Sequence, residues 1–218
     1  MPIPKDSMFF GFADKMTEEQ RRYVDSIFDN RITFVNAKAG TGKTTLAVAA
    51  AKLLGKPLVY VISPVEEKRM GFLPGGVKAK ESVYFTPLED ALYEINEDPR
   101  KVIYNEENVE AQKRGDVWVY PKSHVYVRGT NVKGKTVIIS EAQNFTRGEL
   151  KKVLTRLHDD CRVIVEGHAD QCDLPDPRKS GFVPYIEHFR GQPYANVCEL
   201  TVNFRGELAT HADALTWL

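Results

Sequence analysis

Ala37-Lys38-Ala39-Gly40-Thr41-Gly42-Lys43-Thr44-Thr45 lies between the β-branched and aromatic run Ile32-Thr33-Phe34-Val35 and the helical run TLAVAAAKLLG, which Gly55 closes. It fits G-x-x-x-x-G-K-[ST] at every defined position except the first, where Ala37 replaces glycine. A strand, a glycine-rich turn and a helix N-terminus together form a phosphate cradle. Backbone N–H groups curl around phosphate oxygens, Gly40 and Gly42 permit the curl, and the helix start adds partial positive charge. Lys43 supplies a point charge for the β/γ-phosphates. The Thr44 hydroxyl is the expected magnesium ligand, since a hard cation on phosphate needs compact oxygen donors. Thr45, one position on, completes the loop without having to touch the ion.

On the N-terminal side, Thr17-Glu18-Glu19-Gln20 reads as a capping box opening a helix whose apolar side carries Tyr23, Val24, Ile27 and Phe28 and which stops near Asn30. On the C-terminal side, strands are expected at Leu58–Ile62, Thr136–Ile139, Arg162–Val165 and Val197–Leu200. Helices are expected over about Arg147–His158 and from about Glu207. Such alternation predicts an α/β fold, a mostly parallel sheet flanked by helices. Between about 64 and 134 prolines and glycines break the pattern. This stretch reads as an irregular insertion with a helix near Leu88–Glu97 and short strands near Val117–Val119 and Val125–Val127. Pro175–Pro184 reads as a loop.

With 218 residues the chain is expected to form one domain over 1–218. Its 30 basic residues balance 30 acidic ones, so a whole-molecule polybasic surface is excluded, although a local basic groove is not. A 42% hydrophobic content suffices for a core. Cys161, Cys172 and Cys198 form no C-x-x-C pair, which fits reduced thiols, and no apolar stretch reads as a signal or a membrane span. A cytoplasmic protein is the expectation. His168 and Cys172 have a metal-like spacing, but no second pair lies nearby in sequence to complete a zinc site.

A second motif follows Val137-Ile138-Ile139, where Ser140-Glu141-Ala142-Gln143 places polar groups at the carboxyl end of a buried strand, the edge at which ligands gather in open α/β sheets. Glu141 is suited to orienting an attacking water.

Taken together, AKAGTGKT, GFLPG (Gly71–Gly75), Arg128-Gly129, SEAQN (Ser140–Asn144), LTR (Leu154–Arg156), GHADQCDLP (Gly167–Pro175) and KSG (Lys179–Gly181) resemble the PhoH-like ATPases, in family order from about Thr17 to Leu215. The core of that family is similar to superfamily 1 helicases, a P-loop NTPase fold. The resemblance implies ATP and Mg²⁺ as cofactors, hydrolysis of ATP, single-stranded RNA or DNA as partner, and assembly into a homo-oligomeric ring. By the same resemblance Gln171 senses the γ-phosphate, Arg205 serves as an arginine finger, and Gln20 reads adenine. Plainer readings stand beside these: a loop amide, a solvated arginine and a helix cap.

Two departures from the family pattern each remove a carboxylate. Ser140 stands where the family usually has aspartate, and His168 where it usually has aspartate after the glycine of the third motif. An acid at position 140 would hold magnesium through its water shell. Serine can hydrogen-bond such a water but brings no charge, which implies weaker magnesium retention and slower turnover, and makes a nucleotide-binding switch or assembly module the rival reading. Nucleic-acid contacts are expected from Lys68, Arg69, Lys78, Lys80, Lys122 and Arg128, with Tyr120 and Tyr126 as stacking faces.

Overall fold

The computed structural model describes residues 12–63, 85–106, 108–127 and 129–214. GFLPG, Lys68, Arg69, Lys78, Lys80 and Arg128 lie outside them, as does the side chain of Tyr126. The strands are β1 (Ile32–Ala37), β2 (Leu58–Ile62), β3 (Val119–Ser123), β4 (Thr136–Ile139), β5 (Arg162–Gly167) and β6 (Ala195–Leu200). The principal helices are α1 (Glu18–Asp29), α2 (Lys43–Leu54), α3 (Thr86–Glu94), α4 (Val109–Arg114), α5 (Arg147–Leu154), α6 (Phe182–Phe189) and α7 (Glu207–Asp213).

Among the described residues, these six strands pair in parallel in the order β3-β2-β4-β5-β1-β6. A parallel sheet needs both faces covered, and the pleat sorts the side chains accordingly. Val35, Tyr60, Ile138 and Ile164 join the cluster packed by α1, α2 and α3. Phe34, Val61, Ile139 and Val165 join the opposite cluster, which α5 and α6 cover. Leu46 to Ala51 of α2 are buried without interruption, because α2 is wedged between the sheet, α1 and α3. Its run of alanines lets these neighbours approach closely.

Local chemistry accounts for the boundaries. The Thr17 hydroxyl accepts from the Gln20 N–H at 3.2 Å and the Thr17 N–H donates to Gln20 Oε1 at 3.1 Å, the reciprocal box expected from sequence. A second box, Thr146 with Glu149, starts α5. That helix ends at Leu154 rather than His158, because the following residues turn to bond with Val132: its N–H donates to the Arg156 carbonyl and its carbonyl accepts from the His158 N–H. Three other expectations are corrected. The strand near Val117 begins at Val119 and runs through Pro121, which is tolerated because β3 is an edge strand. The segment read as a strand at Val125–Val127 is a helical turn, His124–Val127. Finally, the stretch read as a loop to Pro184 already contains the start of α6, with Pro184 in the first helical turn, where a missing N–H costs nothing. The region read as an insertion thus supplies an edge strand to the central sheet.

Phe182 is fully buried between α6 and the sheet. Phe182→Ala is expected to lower unfolding free energy by about 3–5 kcal/mol, read from the midpoint of a urea titration at unchanged slope.

Candidate nucleotide site

The loop after β1 has the geometry its glycines foretell. Gly40 and Gly42 adopt φ of +72° and +78°, a conformation costly for any residue with a Cβ. A Cβ on Gly40 would also lie 2.7 Å from Asn203 Oδ1 and 2.8 Å from Arg205 Cγ. Ala37, by contrast, is the last residue of β1, buried and in register with Leu200, so its methyl group is accommodated and glycine is not required there. Gln20 is tied to the loop, with its Nε2 donating to the Thr41 carbonyl at 3.0 Å. Above the loop opens a cavity of about 920 Å³, lined by Gln20, the loop from Gly40 to Thr45, the side of α3, Glu141, Phe204 and Arg205. That volume falls within the range of small-molecule and cofactor sites.

Lys43 reaches across this cavity to Glu141, with its Nζ 3.5 Å from Oε1. Glu141 itself has a left-handed backbone, φ +51°, which turns the chain sharply off the end of β4. Such a conformation in a non-glycine residue stores on the order of 1–3 kcal/mol and is characteristic of working sites. The buried Gln143 holds the turn in place. Its Nε2 donates to Glu141 Oε2 at 2.6 Å and to the Gln171 carbonyl at 3.2 Å, while its Oε1 accepts from the His168 N–H at 3.0 Å.

At the centre lies a residue the sequence reading did not single out. Glu166, near the end of β5, is fully buried, and its Oε1 accepts from the Thr44 hydroxyl at 2.9 Å and from the Ser140 hydroxyl at 2.8 Å. Its Oε2, equally buried, has no hydrogen-bond partner among the described residues. Burial pushes this carboxyl up to about 7, against the nearby Lys43 charge and the two hydroxyl hydrogen bonds, which pull it down. The convergence follows from the pleat. Ile139 is in register with Val165, so Ser140 and Glu166 come next on their strands and share the α2 side with Ile138 and Ile164. Among the described residues no three His, Cys, Asp or Glu side chains gather as a metal site. A cation here would therefore draw on hydroxyls and nucleotide phosphates, and the hard oxygens of Thr44 and Ser140 beside a buried carboxylate suit Mg²⁺ chemically.

Comparison with known proteins is decisive on kinship. Residues 13–211 match the PhoH-like protein family. The chain belongs to that family. It is 40% identical over 171 residues to a PhoH-like protein of Synechocystis sp., covering 76% of this chain and 49% of the relative. It is 36% identical over 191 residues to a PhoH-like protein of Mycobacterium tuberculosis, covering 85% and 52%. Against Protein PhoH of Escherichia coli the figures are 34% over 178 residues, with 79% and 48% covered. The chain thus spans about half the length of these relatives. In architecture it is similar to the Hef helicase domain of Pyrococcus furiosus, with a TM-score of 0.50 at 10% identity, covering 92% of this chain and 40% of that one. Family and fold together mark a P-loop NTPase-like protein.

In this PhoH-like chain the expected site residues separate into two groups. Gln20, Gly40, Thr41, Gly42, Lys43, Thr44, Thr45, Glu141 and Arg205 line the cavity. Lys38 and Ala39 shape the loop from behind, Lys38 by accepting the Thr41 hydroxyl on its carbonyl. The Thr45 hydroxyl is turned to Glu94 at 2.5 Å. The Gln20 amide is engaged at both ends, by the helix cap and by the loop. Gln171 joins the network through its backbone carbonyl. Away from the cavity, the Tyr120 ring stacks on Tyr104 at 5.6 Å and lies under Lys135 Nζ at 5.0 Å, so it is already engaged. The signal for Glu166 was local: an apolar run, Val163-Ile164-Val165, ending in an acid, the same strand-end pattern that drew attention to Glu141.

Because the Glu166 carboxyl titrates higher folded than unfolded, the folded state holds an extra proton between about 4.5 and about 7, and stability is lost as pH rises through that window. In metal-free buffer the stability of Glu166→Gln relative to wild type is expected to grow by roughly 3 kcal/mol across it and to level off above, as read from urea unfolding at a series of pH values.

Proposed function

We propose that the chain binds ATP with Mg²⁺ and hydrolyses it in work on single-stranded RNA or DNA. The observation that carries this reading is the Lys43–Glu141 pair lining the cavity, which brings a phosphate-binding cation and a water-orienting carboxylate together beside the loop. The two left-handed glycines and the start of α2 seat the phosphates, and Lys43 meets the β- and γ-phosphates. Thr44 and Ser140 would hold Mg²⁺, which neutralises charge on the phosphate oxygens when bound.

Binding of the triphosphate draws Lys43 away from Glu141 and frees that carboxylate to align a water with the γ-phosphorus. A bond forms from the water oxygen to phosphorus as the bond to the β,γ-bridging oxygen breaks, and ADP and inorganic phosphate leave. The water proton passes to Glu141 or to the departing phosphate. Arg205, placed at the cavity beside Gly40, is suited to neutralising the charge that develops in the transition state. Gln171 would report the γ-phosphate through the Gln143 network that ties its segment to Glu141.

The second reading, a nucleotide-dependent switch with little turnover, is favoured by the uncharged Ser140. Turnover with magnesium separates the two. Lys43→Ala is expected to weaken ATP binding by about 10- to 100-fold in calorimetry with the fold intact, the loss of a charged hydrogen-bond donor to phosphate. Equal affinity would remove the phosphate-loop assignment. Single-stranded RNA or DNA is expected to raise the ATPase rate, and the binding read by fluorescence polarisation should weaken as salt rises. Steady turnover without any stimulation would leave ATP hydrolysis standing and remove the nucleic-acid partner.

A further inference from the structure

A neutral side chain at position 166 would satisfy the Thr44 and Ser140 hydroxyls as well as a carboxylate does, without the cost of an ionisable group in a fully buried place. This chain nevertheless keeps an acid there, and its buried Oε2 has no partner among the described residues. It also lacks an acid at the neighbouring position 140, where serine donates to that same carboxylate. Thr44, which lines the cavity, is the other donor. A hydroxyl has one proton and two lone pairs, so giving the proton to Glu166 leaves the lone pairs for a cation and makes the oxygen a better donor to it.

We propose that Glu166 is the carboxylate on which a magnesium-like divalent cation bound with the nucleotide relies in this chain, acting through the Thr44 and Ser140 hydroxyls in place of an acid at position 140. The carboxylate stands near the end of β5, one strand over from Ser140 at the end of β4. It stands on the same side of the sheet, beside the buried Ser140 and directly behind Thr44, which lines the cavity. The inference rests on reading the cavity as a nucleotide site and deepens that reading by assigning the charge of its metal centre. It replaces the expectation that Ser140 leaves the centre without a negative side chain.

The test measures binding rather than turnover. A fluorescent ATP analogue is titrated into wild type, Glu166→Gln and the exchange variant Ser140→Asp/Glu166→Ser, first in EDTA and then across a Mg²⁺ series. Direct Mn²⁺ binding in the presence of nucleotide is followed by electron paramagnetic resonance. In EDTA all three are expected to bind nucleotide, since the loop and Lys43 are intact. The Mg²⁺ midpoint for tightened binding should rise by about 10- to 100-fold in Glu166→Gln, with Mn²⁺ affinity falling in parallel, the usual cost of removing a partner that tunes a metal ligand. The exchange variant, which keeps the charge but moves it back to β4, should recover most of the wild-type midpoint. A purely structural role would change the melting temperature of Glu166→Gln and leave its midpoint where it was, and that result overturns the proposal. Should Glu166→Gln not fold, the exchange variant decides alone: a recovered midpoint supports the proposal, and loss of metal dependence overturns it. A wild type that binds nucleotide with no response to Mg²⁺ overturns this inference alone, whereas a wild type that binds no nucleotide overturns the reading of the cavity as well.

Discussion

Parallel strands all finish at one edge of the sheet, and that edge is where this chain must place polar groups it cannot bury cheaply. β5 lies between β1, which runs into the glycine-rich loop, and β4, which runs into the Ser140–Gln143 turn. Whatever ends β5 therefore meets both. Pleat parity sends Glu166 to the α2 side, and the two hydroxyls nearest to it close on one carboxylate oxygen. The loop, the turn and the third motif are thus referred to a single buried acid. The desolvation of that acid is only partly offset by two hydrogen bonds and the neighbouring Lys43 charge.

Gln143 is the complementary strut. It is buried, and its amide spans from Glu141 on one segment to His168 and Gln171 on another, so the turn after β4 and the loop after β5 behave as one hydrogen-bonded body. The packing around it is close. A Cβ on Gly167 would lie 2.7 Å from Gln143 Oε1 and 3.0 Å from the Phe182 ring, which explains glycine at a position whose backbone does not demand it. Asn144 and Asp173 extend the seam, with the Asp173 N–H donating to Asn144 Oδ1 at 2.8 Å and Asn144 Nδ2 donating to Asp173 Oδ2 at 3.0 Å.

Local chemistry was the legible part of the sequence. The strand–glycine turn–helix unit, the Thr17 capping box and the strands Leu58–Ile62 and Thr136–Ile139 all rest on neighbours within a few residues, and the structure has them where the residues put them. What escaped depends on partners distant in the chain. The strand expected near Val117–Val119 instead runs on through Pro121 because its place at the sheet's edge is a property of topology, and α5 stopped short because Val132, far upstream, recruits the residues that follow it. Glu166 is the clearest case. Its neighbour Thr44 is 122 positions away and Ser140 is 26 away, so its environment appears only once β5 is known to lie between β1 and β4.

The 2.8 Å contact between Ser140 and Glu166 also constrains how this sequence can change. Two carboxylates that close would repel, and one would be forced to keep its proton. Two neutral residues would leave no acid beside the Thr44 hydroxyl. The acceptable states hold one acid on one of the two strands, and a single substitution does not carry one such state into the other. The two positions form an epistatic pair, in which an aspartate that is beneficial beside a neutral partner is a burden beside Glu166. A strand edge built this way can shift its charge between strands only through a less fit intermediate or by two changes at once.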